Sequence, residues 1–164
     1  MYKKILWVLA SVIVLAQFIR PSHKNPAIDA AVDFQNVANP PAEVLSILKN
    51  ACYDCHSYET KYPWYSQISP VSWWLANHID EGREHLNFST FGQLAPGARA
   101  EALGEAAEAV QEGEMPLSSY TWLGLHPEAN LTAAQRNILI QWLNANGGEG
   151  AEAGTGSEEK GEDD

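Results

Sequence analysis

Cysteine is scarce in this 164-residue chain: Cys52 and Cys55 are the two it has, and no second pair stands elsewhere. A structural zinc site needs four ligands, so the pair alone does not supply one. Methionine is as rare, with Met115 alone besides Met1. Basic residues are outnumbered, ten Lys and Arg against 21 Asp and Glu, for a formal net charge of −11. That balance excludes nucleic acid, whose phosphates need a basic face, and favours a partner with a basic patch. No stretch alternates apolar and polar residues with period two, so no strand is predicted. There is no internal repeat, no Ser/His/Asp set, no phosphate-cradling glycine loop and no second cluster of metal-ligating residues.

The ends differ from the middle. Lys3 and Lys4 precede an uncharged run, Ile5 to Ile19, that stops at Arg20-Pro21. A basic start followed by an apolar run is the pattern of a secretory signal or a signal anchor. No A-x-A-like cleavage site follows it, so residues 1–20 read as an uncleaved membrane helix, with the remainder outside the cytoplasm. Residues 21–38 read as a tether. At the other end, Gly147 to Asp164 holds seven acidic residues, one lysine and no large apolar residue. Such a tail buries too little surface to offset its ordering entropy and reads as disordered. With the ends set aside, residues 21–148 still carry a charge of −8.

Between these ends, residues 39–146 read as one all-α domain. Asn39-Pro40-Pro41 signals a helix start, and Val44, Leu45 and Leu48 form an apolar stripe running into Cys52. A second helix is predicted with Ser69 as N-cap and Pro70 at its first position; Val71, Trp74, Leu75 and His78 share its apolar face. Residues 87–94 read as loop. A third helix over 98–112 carries Leu103, Ala106, Ala107 and Val110 on one face and glutamates on the other, and Gly113 stands where a C-cap glycine belongs. Thr132 and Gln135 form a capping box for the last helix.

The chemistry centres on Cys52-Tyr53-Asp54-Cys55-His56. One reading is covalent haem attachment: two thiols one helical turn apart add to the two haem vinyl groups, and the adjacent histidine reaches the iron. A thioredoxin-like dithiol normally follows a strand, and here a helix precedes. A disulfide across so short a loop would constrain the unfolded chain little. The pattern therefore points to one haem c, bound through Cys52 and Cys55 with His56 on the iron.

An electron-carrying haem takes a sixth ligand, and Met115, in the loop of Glu114-Met115-Pro116, is the leading candidate; a thioether opposite histidine raises the reduction potential. His78 is the alternative, and an open sixth position is the third. His85 and His126 read as exposed loop residues. Tyr62, Trp64, Tyr65, Trp73, Trp74 and Trp142 serve as core or as haem wall, and Arg83 and Arg136 as surface residues or propionate partners.

The segments CYDCHSYETKYPWYSQISPVSWWLANHIDEGREHLNFS, then GEMP, then LHPEANLTAAQRNILIQWL resemble the small haem-binding-domain family of membrane-anchored bacterial proteins, over about 90 of the 164 residues. The resemblance implies haem binding outside the cytoplasm. More distantly, the order helix, CxxCH, loop, helix, Met-Pro loop and closing helix is similar to monohaem class I cytochromes c. The reading from sequence is an anchored, periplasmic, cytochrome c-like carrier of single electrons. Two alternatives stay open: a haem sensor or peroxide-reactive enzyme with an open distal site, and a haem-free thiol–disulfide oxidoreductase.

Overall fold

A computed structural model describes residues 2–147, and among these it holds helices and turns but no strand. The acidic tail read from the sequence lies outside the described residues from position 148 onward.

The N-terminal apolar run folds as α1, Tyr2–Ala16, whose side chains are exposed along almost its whole length. Its 15 residues rise only about 22 Å against a hydrocarbon core of about 30 Å. No described helix is long and apolar enough to cross a membrane, which corrects the membrane helix expected from the sequence. The helix stops where Gln17 turns its amide to other work. The side-chain nitrogen donates to the Ile13 and Ser69 carbonyls, each at 2.9 Å, and the side-chain oxygen accepts from the Ser69 amide at 3.0 Å.

The core begins with α2, Phe34–Val37, whose N-cap Asp33 accepts from the Gln35 amide. Phe34 is wholly buried and meets Phe88, Phe91 and Trp142 edge-on, with ring centroids 4.9, 5.0 and 5.8 Å away. Next, α3 (Ala42–Ala51) buries Val44, Ile47 and Leu48 and runs directly into the single turn α4 (Tyr53–His56). After a 3-10 turn at Trp64–Gln67, α5 spans Val71–His85. Ser69 does not cap it: its hydroxyl lies 3.0 Å from that of Ser72 and donates to the Ile19 carbonyl.

The segment expected as loop at 87–94 contains a 3-10 helix, Phe88–Gln93, because Asn87 accepts from the Ser89 amide while Phe88 and Phe91 are drawn into the core. Then follow α6 (Pro96–Glu112), the single turn α7 (Ser118–Thr121) and α8 (Ala133–Asn146). Gly113 ends α6 at φ +80°, the left-handed geometry glycine adopts without a Cβ penalty. The Thr132–Gln135 capping box is formed at the start of α8. Leu139 and Leu143 of α8 are fully buried, and burial of each contributes about 1.5–3 kcal/mol. In this arrangement α6 and α8 pack together, α3 crosses α8, and α4 lies against α5.

Candidate haem-binding site

Between α4 and α5 on one side and α6 with its following loop on the other lies a cavity of about 430 Å³. That falls in the range of about 300–1,000 Å³ usual for cofactor sites. Cys52, Cys55, His56 and Met115 all line it. The fold therefore brings together residues more than a hundred atoms of backbone apart, and it does so by closing α6 and α8 over α3.

His56 is held in a defined orientation. Its Nδ1 lies 3.0 Å from the Leu86 carbonyl, just past the end of α5. Nδ1–H donates there, so Nε2 keeps its lone pair. Burial pushes the imidazole pKa below its ordinary 6.5, outweighing the hydrogen bonds to the Leu86 and Gly82 backbone that favour the charged form. His56 is thus neutral at neutral pH, the state a metal-binding imidazole requires.

The thiols are held protonated. Burial, reinforced by Cys55, pushes Cys52 up from 9.0 to about 12. Burial and the Asp54 carboxylate push Cys55 up to about 11, against the opposing pull of Arg83. A disulfide exchanger needs a depressed thiol pKa; these run the other way. Among the described residues no group of three or more His, Cys, Asp or Glu is gathered as a metal-ion site.

Close packing sets the position of Cys55. A Cβ on Gly82 would stand 3.1 Å from the Cys55 carbonyl oxygen and 3.3 Å from its Cβ. The missing side chain therefore lets α5 approach the CxxCH turn. One helical turn to either side of Gly82, His78 and His85 also line the cavity. The Nδ1 of His78 lies 2.9 Å from the Trp74 carbonyl, and its ring packs on Trp74 at 4.2 Å. His78 and His85 thus stand on α5, which packs on the α4 turn that carries His56, whereas Met115 comes from the loop after α6.

The Met115 loop is pinned from α8. Its amide donates to the Ala109 carbonyl at 3.1 Å, and Arg136 donates to the carbonyls of Val110 and Met115. Small residues of α6, Ala102, Ala106 and Ala109, leave room in the wall above it.

The residues present fit a haem: an apolar cavity of suitable size, two thiols on its edge, and an oriented neutral imidazole. A family model described as a haem-binding domain matches residues 11–145. The chain belongs to this haem-binding domain family. No curated protein matches the chain, and no solved structure does.

Several residues singled out in the sequence stand away from this cavity. Arg83 bonds the Ser57 carbonyl and the Thr60 hydroxyl, so it fastens the loop after His56. Trp64, Trp73 and Trp74 are exposed, Trp142 packs in the core, and none of the four lines the cavity. His126, read as exposed, is buried. Sequence reasoning missed Tyr120, which lines the cavity and donates to Asp54 Oδ2 at 2.6 Å. Only the fold brings Tyr120 beside the CxxCH turn.

Proposed function

We propose that this haem-binding domain carries one haem c, attached covalently through Cys52 and Cys55, and passes single electrons outside the cytoplasm. The observation that supports this reading is the single cavity shared by Cys52, Cys55, His56 and Met115. The bound haem supplies a one-electron iron couple. The chain's own residues bind it, orient it and keep water from it. Burial holds both thiols protonated, the form that addition of S–H across the haem vinyl groups would consume. His56 offers Nε2 while Leu86 holds its other nitrogen. Met115 lines the cavity from the loop after α6, a different element from the α4–α5 pair that carries His56 and His78, and it would be the sixth ligand. Its thioether would raise the reduction potential, as in the distantly similar class I cytochromes c.

The basic-then-apolar N-terminal pattern supports an export signal, whose apolar region is typically about 7–15 residues. The −8 charge of residues 21–148 favours a redox partner protein with a basic docking patch.

Absorption spectra of the ferric and ferrous protein, with and without carbon monoxide, test the reading together with intact mass. Expected are a mass increased by one haem, a low-spin ferric spectrum, and a sulfur–iron charge-transfer band at its red end that Met115→Ala loses. A bare polypeptide with both thiols free to alkylate would overturn covalent attachment. High-spin ferric haem with fast carbon monoxide binding would instead point to an open distal site.

A further inference from the structure

Behind the haem cavity, across Tyr120, lies a second void of about 10 Å³, lined by Asp54, Cys55, Tyr65, Tyr120 and His126 among others. It holds at most about one water, so no substrate enters it. Its walls are nonetheless built like a reactive site. The Tyr65 hydroxyl lies 2.5 Å from Nε2 of buried His126, and Nδ1 of that ring lies 3.5 Å from Glu128. Phenol, imidazole and carboxylate thus stand in line. The His126 ring stacks on Tyr120 at 3.9 Å and 13°. Tyr65 in turn meets Trp64 at 5.8 Å, and Trp64 is 73% exposed. A continuous aromatic series therefore runs from the haem cavity to solvent, and only electrons and protons have room to travel it.

We propose that Tyr65 is a redox-active tyrosine, wired through His126 and Tyr120 to the haem cavity and discharging through Trp64 at the surface. The proposal rests on haem occupying that cavity. Burial raises the Tyr65 pKa, with Asp54 and Cys55 adding to it, so the phenol does not ionise first. Its electron and proton must leave together. With hydrogen peroxide as oxidant, two electrons and two solvent protons convert one peroxide to two waters. Tyr65 supplies one of these electrons, and the cofactor, when bound, would supply the other. The Tyr65 O–H bond breaks as an N–H bond forms at Nε2 of His126, and Glu128 faces the resulting imidazolium. Asp54, hydrogen-bonded to Tyr120, is the other carboxylate near this array. An electron from Trp64 then restores Tyr65, which takes its proton back from His126, and the indole proton passes to solvent.

The test treats the haem-loaded full chain with hydrogen peroxide in the presence of a nitroso spin trap, and peptide mass spectrometry locates the adducts. Adducts are expected on Trp64. Tyr65→Phe should lose them, Trp64→Phe should move them to Tyr65, and Trp73→Phe, changing an indole outside the series, should leave them unchanged. Met115→Ala, which removes the proposed sixth ligand, should raise the yield without moving the site. Trp64 adducts that persist in Tyr65→Phe, or adducts spread evenly over Trp64 and Trp73, would overturn the proposal while leaving haem binding intact. Protein whose spectrum shows no haem would overturn both.

Discussion

His56 and Gly82 do unlike work for one purpose, the fixing of the CxxCH turn against α5. His56 is oriented by a carbonyl at the end of α5, and Gly82, one turn earlier on that helix, lets the helix come close enough for the bond to form. A methyl group at 82 has to displace the Cys55 backbone by a few tenths of an ångström. Overpacking of this kind costs about 1–3 kcal/mol. Gly82→Ala is therefore expected to lower the midpoint of thermal unfolding and to reduce the fraction of chain that acquires haem, read as haem absorbance per polypeptide. Full haem loading and unchanged stability would show that the contact is slack. Neither role is visible in the letters: Gly82 sits in a helical pattern like any tolerated glycine, and its meaning comes from Cys55, 27 positions earlier in sequence.

Helix ends, where unpaired backbone groups concentrate, carry much of the organisation between elements. The start of α8 is secured by Thr132, whose hydroxyl accepts from the Gln135 amide while Gln135 returns a bond to the Thr132 amide. Thr132→Ala is expected to cost about 0.5–2 kcal/mol, measured by urea unfolding. One turn on, Arg136 reaches across to the carbonyls of Val110 and Met115 and so ties the end of α6 to α8. Hydrogen bonds from a charged donor are worth about 1.5–3 kcal/mol. Arg136→Gln should lower stability by an amount of that order and weaken the sulfur–iron band, because the loop bearing Met115 loses its anchor. A stability loss without any spectral change would separate the clamp from the ligand. The capping box was legible as Thr-Ala-Ala-Gln. The clamp was not, since an arginine on an amphipathic helix reads as a surface charge until its partner helix is known.

Over the whole molecule, the buried thiols make haem attachment and pH stability interdependent. Folding raises both cysteine pKa values, from 9.0 to about 12 for Cys52 and about 11 for Cys55. As pH climbs past 9 the unfolded chain gives up these protons first. The thiols' contribution is therefore intact below pH 9 and is lost as pH rises toward 11 and 12. Tyr53 and Tyr120, also raised by burial from 10.0, act in the same direction above pH 10. Haem-free protein should lose stability steeply from pH 9 upward in urea titrations, and Cys52→Ala should flatten the first part of that fall. If haem is attached as proposed, thioethers would replace the thiols and this part of the fall should be absent. A haem-free protein with level stability from pH 8 to 10 would contradict the burial of the pair.

The sequence by itself determined the helical class, the CxxCH spacing, the Gly113 stop and the capping box, because each is written in neighbouring residues and obeys local rules of period, φ and end-group satisfaction. It also suggested a membrane helix, which the structure replaces with a shorter one ended by Gln17. Tertiary structure decided what faces the cavity. Met115 joins His56 in lining one cavity, Arg83 turns to the loop backbone, and Tyr120 and His126 gather behind Cys55, since each depends on how distant helices pack. Residues far apart in sequence have no common signal until burial of the apolar stripes on α3, α6 and α8 brings them within contact distance.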